Sequence, residues 1–159
     1  MILRIAPFTD LSPDMLYSVL RLRCDVFVVE QHCAYPEVDG RDLEPGTRHF
    51  WLISPDPPDD AGTATDAGTA VAAYLRVLAE PGGAARVGRV CTAPSFRGRG
   101  LARRLMVAAL EWIGPQRVCV LDAQAHLVDF YGAFGFRVTG ATYLDDGIPH
   151  VPMTRPATP

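Results

Sequence analysis

Apolar residues recur along this chain with two different periods. Ile2 to Ala6 alternates weakly with an apolar bias and predicts a first strand. Ser12-Pro13 supplies a hydroxyl N-cap and then proline in the first turn of a helix. Met15, Val19, Leu22 and Val26 follow at helical spacing, with Leu16 and Leu20 widening the stripe, so the helix is expected to reach about Phe27 or beyond. His49 to Ser54 reads as a strand. Ala70 to Ala79 and Arg86 to Thr92 read as two strands joined by a hairpin at Pro81-Gly82-Gly83. Leu101 to Ile113 predicts a helix with Leu101, Leu105, Ala108 and Trp112 on one face, stopped by Gly114-Pro115. Arg117 to Ala123 is a short apolar run typical of a buried strand, and His126 to Phe134 a short helix ended by Gly135. Phe136 to Ala141 and Val151 to Thr154 are the final strands. Antiparallel pairs early and strand–helix alternation late predict an α/β fold, a sheet covered by helices on both faces.

Two stretches fall outside this pattern. Pro36, Gly40, Pro45 and Gly46 punctuate an acidic, turn-rich segment. Residues 55–69 contain no large apolar side chain and read as a flexible surface loop, too short to link two cores. With 159 residues the chain is read as one domain spanning 1–159, with its core at about 2–155. The net charge of −3 excludes a nucleic-acid binder held by a broad basic face. No apolar run approaches the ~18 residues of a membrane span, and the first residues lack a signal-peptide layout, so a cytoplasmic protein is expected. The four cysteines form no C-x-x-C pair, and no metal is expected; Cys91 and Cys119, set among valines, read as core residues.

The segment Ala93-Pro94-Ser95-Phe96-Arg97-Gly98-Arg99-Gly100-Leu101-Ala102 lies between a predicted strand and a predicted helix. Glycines let the backbone turn with its N–H groups converging. A helix N-terminus offers unpaired donors and about half a positive charge, which suits a phosphate or pyrophosphate. Arg97, Arg99, Arg103 and Arg104 add positive charge. The bland reading is a connecting loop with a solvated basic face. A Walker A loop is excluded by the missing G-K-[ST], and a dinucleotide fingerprint by the missing G-x-G-x-x-G.

Arg97-x-x-Gly100-x-Ala102 resembles the acetyl-CoA turn of the GCN5-related N-acetyltransferase (GNAT) superfamily. Phe130-Tyr131-Gly132-Ala133-Phe134-Gly135-Phe136 is similar to that superfamily's second signature. Leu22-Arg23, Val26 to Gln31, Tyr35, Asp39-Gly40, Ala123 to His126 and Asp145 to His150 resemble its ElaA-like branch over nearly the whole chain. The resemblance implies the GNAT fold: a mixed, mostly antiparallel sheet splayed between strands 4 and 5. It implies acetyl-CoA as co-substrate and transfer of an acetyl group to an amine, without identifying the acceptor; a small-molecule or peptide amine is expected. The other reading is a non-catalytic acyl-CoA-binding or sensor domain. Carried onto this chain, Val90, Cys91 and Thr92 become the strand edge that bonds thioester and pantetheine. Arg97, Gly98, Arg99, Gly100, Leu101, Ala102 and Arg103 hold the pyrophosphate. Gln124 contacts the cofactor's amide arm, and Tyr131 meets the departing sulfur as general acid.

An alkyl amine must also lose a proton before it attacks, which at pH 7 costs roughly 4.6 kcal/mol. Glu30 and His126 are the foremost candidate bases: Glu30 follows an apolar run that would raise its pKa, and His126 adjoins the cofactor strand. Either residue could instead be a surface charge or a helix cap. Glu30, Tyr35, Asp39 and His49 are the expected substrate contacts. No nucleic-acid or membrane partner is expected, and a homodimer remains open.

Overall fold

The computed structural model describes residues 1–58 and 68–158. Its elements are β1 (Ile2–Ala6), α1 (Pro13–Cys24), β2 (Arg48–Ser54), β3 (Ala70–Ala79), β4 (Ala85–Thr92), α2 (Leu101–Ile113), β5 (Cys119–Gln124), α3 (Val128–Gly132), β6 (Arg137–Val138), β7 (Tyr143–Asp145) and β8 (Ile148–Arg155). Among the described residues one sheet runs in the order β1-β2-β3-β4-β5-β8-β6, with β7 also paired to β8. Every pairing is antiparallel except β4 with β5.

Helices cover both faces, and cross-strand partners show which helix covers which. Phe50 pairs with Leu75 across β2–β3 and meets Trp112 of α2 edge-on at 6.0 Å, so that face belongs to α2. Tyr74 pairs with Trp51 on the opposite face, where Arg23 of α1 lies 5.5 Å above the Tyr74 ring. Covered on both sides, β3 is buried from Ala70 through Leu78, and Phe50, Leu52 and Leu75 are fully buried beside it.

α1 begins as expected, with Ser12 Oγ accepting from the Met15 N–H at 3.3 Å. Val19, Leu22 and Val26 are buried, and Arg23 joins them with no exposed surface. The helix continues from Asp25 to Glu30 as a π-helical turn, a widening often found at functional sites. The expected face of α2 needs correction. Its buried stripe is Leu101, Leu105, Met106, Ala109 and Ile113, whereas Trp112 is 40% exposed and stacks beside Arg48. The expected strand at 136–141 is only the short β6, and β8 begins at Ile148 rather than Val151. Asp146 and Gly147, with φ of 46° and 81°, form the two-residue turn joining β7 to β8. Most of the loop expected at 55–69 lies outside the described residues.

The sheet opens in one place. β4 and β5 pair only through Ala85–Cys119 and Arg86–Val120, at their N-terminal ends, and then part. Gly88 to Thr92 therefore presents a backbone edge toward β5 that, among the described residues, has no strand beside it. A bulge sits within this edge, where the β3–β4 register shifts between Tyr74 and Arg76 and Arg89 takes a left-handed φ of 56°. For a residue with a Cβ that conformation costs roughly 1–2 kcal/mol, and bulges of this kind often re-aim a strand beside a site.

Candidate active site

At the end of β4 the chain makes one short 3-10 turn, Pro94–Phe96, and enters α2 through Arg97 to Gly100. Gly98 and Gly100 have φ of 73° and 70°, which only glycine adopts without strain. A Cβ built on Gly100 would meet no protein atom within 4 Å, so backbone conformation and not crowding selects glycine there. Gly100 is also the N-cap of α2 and brings no side chain to cap it. The first-turn N–H groups of a 13-residue helix are thus left for a ligand. They border a hollow of about 250 Å3 lined by Thr92, Arg97, Gly98, Gly100 to Arg103 and the rings of Phe96 and Phe130. Arg99 and Arg103 flank it, lying over the Phe96 and Phe134 rings at 5.4 and 5.2 Å. Backbone donors, guanidinium groups and free space together fit a pyrophosphate.

Beside this turn, where β4 and β5 part, lies a larger cleft of about 320 Å3. Val90, Gln124 and Tyr131 line it, as do Tyr35 and Asp39 from the segment after α1. Tyr131 is 7% exposed and wedged edge-on between Phe130 and Phe136. Burial, with Cys91 nearby, pushes its phenol up to about 12. Gln124 donates its amide to the Gln31 side chain at 3.1 Å. His150 lines the same cleft, with Nδ1 2.9 Å from the Ile148 carbonyl, which assigns the proton to Nδ1 and leaves Nε2 as the basic nitrogen.

One wall rests on a buried ionic network. Arg23 binds Glu37 at 2.6 Å and Asp42 at 2.9 Å; Arg76 binds Asp42 at 2.9 Å and Asp39 at 2.7 Å. Arg89, projecting from the bulge, lies 2.7 Å from Glu37 and 3.3 Å from Asp39, with the Tyr35 ring beneath it. The Arg89 Nε approach to Glu37 is off the N–H direction, so that contact is an ion pair without a hydrogen bond. Tyr35 also donates to Glu37. The strained bulge and the irregular segment after α1 are therefore tied together by charge. Burial works against the Asp39 charge, but hydrogen bonds from Arg76 and the field of Arg89 hold its carboxyl well below the usual range.

Several expected site residues lie elsewhere. Glu30 is held in a two-pronged ion pair with Arg97, at 3.0 and 2.7 Å, outside both hollows. A carboxylate so engaged is not a free base. His49 is 1% exposed, between the Tyr74 hydroxyl at 2.7 Å and the Asp42 carbonyl at 3.3 Å, so it cannot touch a substrate. His126 is exposed and does not line the cleft. The Cys91 side chain is buried in the core, so only its backbone is offered at the β4 edge, and Arg99 stays beside the turn while donating to the Ser95 carbonyl at 3.1 Å. Conversely Arg76, Arg89, Tyr143, Asp145, Asp146 and His150 line the cleft without having been singled out as site residues.

Residues 59–156 match the acetyltransferase (GNAT) domain family. A UPF0039 protein of Mycobacterium tuberculosis is 47% identical over 152 residues, covering 94% of this chain and 89% of its own length. Protein ElaA of Escherichia coli is 38% identical over 157 residues, covering 92% and 91%. The crystal structure of Escherichia coli ElaA superposes with a TM-score of 0.83 at 35% identity, covering 98% of this chain and 99% of that one. An acyl-CoA N-acyltransferase from Pseudomonas aeruginosa superposes with a TM-score of 0.80 at 37% identity, covering 98% and 99%. With its parted strands, uncapped helix and these relatives, the chain belongs to the GNAT acetyltransferase family, in its ElaA-like branch.

Proposed function

We propose that this chain is an acyl-CoA-dependent N-acyltransferase that transfers an acetyl group from acetyl-CoA to an amine of a small molecule or peptide. The observation that carries this reading is the bare β4 edge leading, through one 3-10 turn and Arg97 to Gly100, to the uncapped N-terminus of α2. One strand thereby offers backbone donors for a thioester arm and leads straight to a site for its phosphates. Arg97 to Ala102 and Arg103 hold the pyrophosphate, and Val90, Cys91 and Thr92 hold the arm. Acyl-CoA supplies the activated thioester carbonyl.

In the transfer a C–N bond forms and the C–S bond breaks. Charge building on the thioester oxygen is met by backbone N–H groups of the β4 edge, the kind of preorganised donor that usually dominates such catalysis. Tyr131 meets the departing sulfur. Its phenol at about 12 is some 3.5 units above an ordinary thiol, so full proton transfer would be uphill by about 5 kcal/mol. Tyr131 therefore acts by donating a hydrogen bond to the thiolate and keeps its own proton. The amine's proton leaves toward Nε2 of His150 or bound water.

The cleft suits a cationic acceptor. Arg41, Arg76, Arg86 and Arg89 line it, and each already carries a carboxylate partner. Among the described residues Asp145 and Asp146 line it with no ion-pair partner. A thiol-release screen of an amine library, run with acetyl-CoA and with longer acyl-CoAs, tests the proposal. Amine-dependent release of coenzyme A, fastest with acetyl-CoA, is expected. Binding of acetyl-CoA without thiol release from any amine would make the chain a non-catalytic acyl-CoA sensor instead.

A further inference from the structure

The chain leaving the π-helical turn runs across the opening of the sheet and is fastened on both sides of it. Glu30 grips Arg97, on the β4 side, through two contacts of 3.0 and 2.7 Å. The next residue, Gln31, accepts a hydrogen bond at 3.1 Å from the side chain of Gln124, the last residue of β5. Two residues further on, Cys33 Sγ lies 3.4 Å from the Gln31 carbonyl and 3.9 Å from the carbonyl of Asp146 in the β7–β8 turn. His32, between these anchors, has a φ of 55°. That left-handed residue closes the helical turn: the His32 N–H donates to the Val29 carbonyl at 3.4 Å and the Cys33 N–H to the Val28 carbonyl at 3.2 Å, the Schellman pattern of a helix end, which turns the chain toward the opening. Segment 30–33 thus bridges the two strands where they have parted, and Gln31 and Gln124 both line the cleft beneath it.

Resting on the acyl-CoA reading, we propose that Gln31 is a cofactor-positioning residue: it holds Gln124 across the gap and closes segment 30–33 into a clasp under which the pantetheine arm passes. The nucleotide end, seated on the turn at Arg97 to Arg103, stays outside the clasp. A ligand threaded beneath it leaves only when the Gln31–Gln124 bond opens, whereas one bound at the turn alone does not depend on that bond. Differences between related complexes appear mostly in the dissociation rate, so that is the quantity to read.

The experiment immobilises the full chain and measures binding kinetics by surface plasmon resonance for two probes. One is coenzyme A; the other is 3′-phosphoadenosine 5′-diphosphate, which lacks the pantetheine arm. In Gln31→Leu, coenzyme A should dissociate about five- to tenfold faster, the worth of one hydrogen bond, while the nucleotide dissociates as from the unaltered chain. Gln31→Glu keeps an acceptor for the Gln124 amide and should restore slow dissociation. Gln31 is half-buried on the surface, and Gln31→Ala repeats the test should the leucine variant fold poorly. Unchanged coenzyme A dissociation in Gln31→Leu, equal acceleration of both probes, or no rescue by glutamate would each overturn the clasp. Failure of the unaltered chain to bind either probe would instead overturn the acyl-CoA reading on which it rests.

Discussion

The Tyr131 hydroxyl has no hydrogen-bond partner among the described residues and sits in a cleft that raises its pKa to about 12, so it is a donor waiting for an acceptor. Tyr131→Phe removes only that donor and keeps the ring between Phe130 and Phe136. Turnover is expected to fall about 10- to 100-fold, the worth of a hydrogen bond to a charged group, with coenzyme A affinity within a few-fold, measured by steady-state kinetics and calorimetry. Because the phenol stays protonated well into alkaline solution, it should impose no falling limb on kcat between about pH 8 and 10. The buried network governs stability in acid. Burial holds the His49 pKa below its ordinary value, so below about pH 6.5 the unfolded chain takes up a proton that the folded one refuses. Burial opposes the charges of Asp39 and Asp42, but hydrogen bonds from Arg76 and Arg23 outweigh it and depress both carboxyls. Their stabilisation is complete above the unfolded value of about 3.9 and is lost as pH falls below it. Denaturant titrations at several pH values should therefore show two successive losses, and His49→Gln should remove the first alone. Arg23→Met leaves Glu37 and Asp42 short of a cation in the interior and should cost about 3–5 kcal/mol in the same titrations at pH 7.

Among the elements, the β4–α2 junction carries the sharpest expectation. Gly100→Val puts a β-branched residue into a left-handed N-cap, at a cost of about 1–2 kcal/mol that leaves the protein folded. The added side chain stands where a phosphate approaches the backbone, so coenzyme A affinity should drop at least tenfold by calorimetry while circular dichroism is unchanged. This junction was legible in the sequence because everything that makes it is local: apolar run, glycines at close spacing, apolar stripe. β3 was legible for the same reason. The face of α2 was not, since Met106 and Ala109 are as apolar as their neighbours and only the tilt of the helix on the sheet decides which are covered. The β7–β8 hairpin went unread despite its Asp146-Gly147 turn, because β7 is exposed throughout and carries no alternation. The ionic network left no local trace at all. Arg23 meets partners 14 and 19 residues away, Arg76 partners 34 and 37 away and Arg89 a partner 50 away, so its acids read only as a turn-rich acidic segment, with Asp39 as a substrate contact and not as a buried ion-pair partner.

At the scale of the whole molecule, a ligand spanning turn and cleft ties β4, α2, β5 and the segment after α1 into one unit. Coenzyme A at 100 times its dissociation constant should add about 2.7 kcal/mol. For a chain of this size that raises the melting temperature by about 5–10 °C in calorimetry. The buried network also has a chemical consequence. Its cations are all arginines, and so are all 15 cationic side chains of the protein; the sequence contains no lysine. With an acyl-CoA bound as proposed, an amine among those positive charges would be the nearest acceptor. Guanidinium groups stay protonated and do not attack a thioester, whereas a lysine amine freed of its proton does. Under the proposed activity, prolonged incubation with acetyl-CoA should therefore leave the chain carrying at most one amide-linked acetyl group by intact mass spectrometry, on the α-amino nitrogen, with every side-chain nitrogen unmodified.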